Sequence, residues 1–189
     1  MLLSLPAAAA AFPDGAPWEA AGQEGCVQCH FDAPAMESSE AVTVEGLPST
    51  VTPGETYQLR VRLKGRDMAA AGFLLSARQA GGEAGTFRSG GPRTEANGAK
   101  ARSTEEGATP ETPGAAEWTL EWRAPEARSA DPVALELWAN AANGDESPFG
   151  DATHRRTWQL PVAADEAASS AATGHDTADG EAVSGASRR

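Results

Sequence analysis

The two cysteines of this chain, Cys26 and Cys29, are separated by Val27 and Gln28 and followed at once by His30. That spacing lets both thiols form thioethers to the vinyl groups of one haem while the next imidazole falls under the iron as proximal ligand. The chemistry implied is covalent attachment of a single haem c and one-electron transfer. A thioredoxin-like pair belongs at a helix N-terminus on a βαβ unit, which nothing here supplies. A structural zinc site needs two more ligands, and the other histidines, His154 and His175, are far apart and unpaired. A local Cys26–Cys29 disulfide stays open as the alternative. It would leave a haem-free binding or structural domain.

A bound haem raises the question of its sixth ligand. His154, in the polar stretch Gly150–Arg156, is the first candidate, with Met68, Met36 and His175 behind it. A second His or a Met there would favour electron transfer, whereas an open position would admit a small ligand and weak peroxidase-like chemistry. No distal His/Arg arrangement is legible. Nor is there a Gly-rich phosphate loop, a nucleophile elbow or an HExxH motif, so the chain is read as a non-enzyme.

The elements that must carry this motif are strands. Tyr57, Leu59, Val61 and Leu63 alternate with Gln58, Arg60, Arg62 and Lys64, a half-buried strand entered through the turn Thr52-Pro53-Gly54-Glu55. Ala41–Glu45, Ala71–Arg78, Trp118 to Arg123, Val133 to Ala139 and Thr157–Val162 read likewise, with a short strand at Gly85–Arg88. The remainder of 80–116 is too long for an ordinary loop: it either hides a strand or is mobile. With six or seven strands and no amphipathic helix, the expectation is an all-β sandwich of immunoglobulin-like type. Trp118, Trp122, Trp138 and Trp158 read as core or rim packing, and Trp18 as a residue of the haem arm. Asn140, Asn143 and Asp145 read as turn chemistry, because their spacing matches no calcium loop.

Four regions follow. Residues 1–12 resemble a truncated secretory signal lacking its charged start. Residues 13–39 form a Pro- and Gly-rich arm bearing the motif. A free-standing haem-wrapping domain needs roughly 80 residues, so this arm should lay its haem on the sandwich, residues 40–162. The acidic tail 163–189 is expected to be disordered. Among 189 residues, 27 acids against 15 Lys and Arg leave a formal charge of -12. Such a surface repels nucleic acid and anionic membrane. The expected partner is a redox protein, and the expected state a monomer without a membrane-spanning segment.

A resemblance joins these blocks. The Cys-x-x-Cys-His arm precedes Val-Thr-Val-Glu-Gly-Leu-Pro, Thr-Pro-Gly-Glu-Thr-Tyr-Gln-Leu-Arg-Val and Ala-Gly-Phe-Leu-Leu-Ser-Ala. Trp-Thr-Leu-Glu-Trp-Arg-Ala-Pro and Leu-Trp-Ala-Asn-Ala-Ala-Asn-Gly follow. Over roughly residues 25–162 the chain resembles the exported bacterial choice-of-anchor V domains, which are similar to the Reeler (reelin-type) domain. The resemblance implies a Reeler-type sandwich, an exported location (periplasm, cell surface or medium) and a haem-type motif ahead of the fold. Members commonly end in an anchoring segment. This chain ends in Ser-Gly-Ala-Ser-Arg-Arg.

Overall fold

The computed structural model describes residues 15–21, 25–127, 129–145 and 147–164. The expected signal segment and all of the acidic tail beyond residue 164 lie outside them. The described residues form eleven strands: β1 (Met36–Glu37), β2 (Val42–Glu45), β3 (Thr56–Lys64), β4 (Ala70–Gln79), β5 (Gly82–Glu83), β6 (Thr86–Ser89), β7 (Thr94–Asn97), β8 (Lys100–Ser103), β9 (Ala115–Arg123), β10 (Val133–Ala142) and β11 (Ala152–Leu160). They form two sheets. The larger runs β1-β11-β10-β4-β8-β7 with β5 folded back on β4, and the smaller runs β2-β3-β9-β6. Among these strands all pairings are antiparallel except β1 on β11, and an isolated bridge joins Val51 to Val162 in parallel. The result is the expected β-sandwich. Among the described residues no helix is long and apolar enough to cross a membrane.

Strand alternation builds the core. Leu59, Val61 and Leu63 from β3 and Trp118, Leu120 and Trp122 from β9 face Phe73, Leu75, Leu135 and Leu137 of the other sheet. The two core tryptophans keep their polar ends satisfied, Trp118 Nε1 donating to Gly107 O at 2.9 Å and Trp122 Nε1 to Ala84 O at 3.2 Å. Both are the packing residues that their pattern suggested.

The long stretch 80–116 hides more than one strand. Besides β6 it contains the β7–β8 hairpin, closed over Gly98 and Ala99 with Asn97 opposite Lys100. It then runs through a short turn at Glu106–Ala108 whose Gly107 carbonyl caps Trp118. The stretch 150–156 also differs from its reading as a polar loop. Most of it is the start of β11, and its charges are placed by neighbours: Arg155 binds Glu136 across the sheet at 2.6 Å. At the other end, the two residues of β1 fall inside the region read as arm and make its last contact a strand pairing, Met36 opposite His154.

β4 and β10, central in the larger sheet, are buried on both faces through Phe73–Ala77 and Leu137–Ala141. The second cover is the arm. Ala20, Ala21 and Cys26 pack on Leu74 and Trp138, which are cross-strand partners on the outer face.

Candidate functional site

Residues Gly25–Gln28 make one 3₁₀ turn, closed by the amides of Cys29 and His30 on the carbonyl of Cys26 at 3.3 and 3.0 Å. Gly25 sits at φ +54, where L side chains are disfavoured, and a Cβ there would fall inside the Trp138 indole. Glycine therefore lets the turn lie flat on the sheet. Trp18, upstream in the arm, is anchored by the Arg102 guanidinium 4.4 Å from its ring.

Between the arm and the outer face of β4 and β10 lies a cavity of about 400 Å³. That volume is within the range of small-molecule and cofactor pockets. Cys26, Cys29 and His30 all line it from the arm side. Its other walls carry small residues, among them Ala70, Gly72 and Ala142, so it is largely apolar. Cys26 and Cys29 are free thiols. Burial, and after it the charge of Cys29, pushes the Cys26 thiol up to about 12.

His30 is held by the sandwich. Its Nδ1 lies 2.6 Å from Oδ2 of Asp151, a residue that sequence spacing could not pair with it because the two are 121 positions apart. The side chain of Asp151 is 2 % exposed against 32 % for His30. Asp151 also accepts from Asn140 Nδ2 at 3.2 Å and from the Asn143 amide at 3.2 Å. Thr153 Oγ1 donates to Asn140 Oδ1 at 3.1 Å, which fixes which end of that amide faces Asp151. Asn140 Nδ2 also lies 3.2 Å from His30 Nδ1. The same amide lies 3.5 Å from His30 Nε2; the ring's tautomer decides the roles, and a proton on Nδ1 would make ring and amide donors to one carboxylate.

The loop before Asp151 is folded by its own side chains. Asn143 Oδ1 accepts from the Asp145 amide at 3.0 Å and Asp145 Oδ1 from the Ser147 amide at 2.9 Å. Asp32, just past His30, accepts the Gly150 amide at 3.1 Å, and the Phe31 and Phe149 rings meet edge to face at 5.9 Å. Asn143 and Asp145 thus form the turn the sequence suggests. Asn140 does more than that, and Asp151 and Thr153 carry a role that went unread.

Three of the four sixth-ligand candidates lie elsewhere. Asn140 touches His30 and Thr153, so all three share the outer face. His154 is the next residue after Thr153 and points to the opposite face. It is 4 % exposed, its Nδ1 bonds Ser39 Oγ at 2.8 Å, and burial holds its imidazole below the ordinary value. Met68 is a core residue, 7 % exposed, and Met36 stands on the edge strand β1. None of the three lines the cavity, where His30 is the one His or Met among the described residues. His175 lies outside them.

No model of a known protein family matches the chain, and no curated protein does. Among solved structures it is similar to the human F-spondin reeler domain at 18% identity, with TM-score 0.46, over 68% of this chain and 92% of that one. A crystal structure of the Reelin-N domain of F-spondin is similar at 19% identity, with TM-score 0.45, over 69% of this chain and 90% of that one. The sulfur carrier protein SoxY from Chlorobium limicola is similar at 12% identity, with TM-score 0.38, over 73% of this chain and 92% of that one. These are likenesses of outline; the pocket at Cys26, Cys29 and His30 stands on this chain's own residues.

Proposed function

We propose that the chain is an exported mono-haem c-type cytochrome-like protein that transfers electrons. The single observation that carries the reading is that Cys26, Cys29 and His30 line one largely apolar cavity between the arm and the sandwich. The residues fit the group. Each thiol would add across a vinyl C=C, its sulfur bonding one carbon and its proton going to the other. His30, held at Nδ1, would offer Nε2 to the iron, and the small side chains of β4 and β10 would leave room for the macrocycle. Haem supplies one-electron redox chemistry when bound. Export agrees with this, because c-type attachment takes place outside the cytoplasm, and the acidic surface suits a basic redox partner better than nucleic acid or anionic membrane.

The test is a denaturing gel with haem stain, together with the reduced-minus-oxidised visible spectrum of protein exported from cells that mature c-type cytochromes. A stained band with sharp α and β bands is expected, and the band positions report the sixth ligand. Cys26→Ala and Cys29→Ala should each weaken or abolish the stain. His30→Ala should lose native ligation while the sandwich still unfolds cooperatively. A colourless wild-type protein with a Cys26–Cys29 disulfide would sink the reading and leave a binding or structural domain.

A further inference from the structure

The acceptor beneath His30 is a buried carboxylate, tied into a chain of side chains from two strands. Asp151 ends the β10–β11 connection, Asn140 is on β10 and Thr153 on β11, and β10 and β11 pair Asn140 with Thr153 directly. The three hydrogen bonds that Asp151 accepts leave it little freedom. His30, a third exposed on a short turn, takes its orientation from it.

We propose that Asp151 is the positioning residue of this site: it holds the proton on His30 Nδ1, aims the Nε2 lone pair at the metal, and makes His30 a strongly donating ligand. This rests on the haem reading. A ring that gives its Nδ1 proton to a carboxylate has more electron density on Nε2. That density, with a fixed negative charge nearby, stabilises ferric over ferrous iron. The site is therefore set to a lower reduction potential than a carbonyl or amide acceptor would give. Asn140 and Thr153 are built in to hold the acid, so the setting belongs to the sandwich and is imposed on the arm.

The experiment compares haem-loaded wild type, Asp151→Asn, Asp151→Glu and Asp145→Asn by spectroelectrochemical titration, with haem stain on every sample. Asp151→Asn should keep its stain and raise the potential by at least about 59 mV, a tenfold change in the oxidised-to-reduced ratio for one electron. Asp151→Glu should recover part of the difference. Asp145→Asn, which removes an exposed charge from the same loop, should match wild type. An unchanged potential in stained Asp151→Asn, or an equal rise in Asp145→Asn, overturns the proposal. An unstained wild type overturns the haem reading instead. Should Asp151→Asn fail to hold haem, ¹⁵N spectra of the haem-free wild type, taken at a pH where the His30 ring carries one proton, decide the matter. A proton on Nδ1 of His30 supports the proposal, and one on Nε2 overturns it.

Discussion

Cys26 and Cys29 are two residues apart and chemically unequal. Cys26 is buried on Trp138 with its thiol pushed up to about 12, while Cys29 is partly open to solvent. Because the thiolate is the nucleophile, Cys29 should be the reactive one. In haem-free protein at neutral pH, iodoacetamide should modify Cys29 well before Cys26, read by peptide mass spectrometry; equal rates would contradict the buried placement of Cys26. His154 makes a second residue-level prediction. Its imidazole ordinarily titrates near about 6.5 and burial lowers it in the folded state. Between those two values the unfolded chain binds more protons, so stability rises with pH. The contribution is complete above about 6.5 and is lost as pH falls through the lower folded value. Urea midpoints taken from pH 7 down to about pH 5 should fall more steeply in wild type than in His154→Gln. Equal slopes would exclude this origin.

At the scale of elements, what was legible depended on how many faces a strand buries. β3 and β9 have one wet face each, and their period-two pattern is unmistakable. β4 and β10 are covered twice, so Leu74 and Trp138 stand on what the alternation alone would make the polar side. Those two positions were the available sign that something lies over the sheet, and the short arm was the available candidate. The β7–β8 hairpin was missed because it offers the core little beyond Ala96 and Ala101; its cue was the Asn97-Gly98 step, a turn signature rather than a hydrophobic one. Cys26, Cys29 and His30 could be read from local spacing, but Asp151 could not, since only the fold brings it to His30. His154 was misplaced for a related reason. Arginines beside it suggested a loop, yet Arg155 is matched by Glu136 and Glu37 on the strands to either side. The inner face of β10 gives the element-level test. Leu137 is fully buried between the sheets, and Leu137→Ala should destabilise the fold by about 2–5 kcal/mol in urea unfolding. A loss under about 1 kcal/mol would mean the sheets are less tightly packed than described.

On the scale of the whole molecule the two outer faces of the sandwich are dressed differently. The small sheet shows water a lattice of charge, with Arg60 and Arg62 reaching Glu117 at 3.0 and 2.7 Å and Arg62 reaching Glu45 at 2.6 Å. Exposed pairs of this kind add little stability, but they keep that face wet and unattractive to another sheet. Under the arm the large sheet offers instead Leu74, Trp138 and the small residues of the cavity floor, flanked by the Arg102–Glu95 and Arg155–Glu136 pairs. The arm is thus a garment as well as a carrier. A chain begun at Met36 would shed the haem motif and bare an adhesive surface in the same stroke, so its colloidal behaviour would change along with its colour.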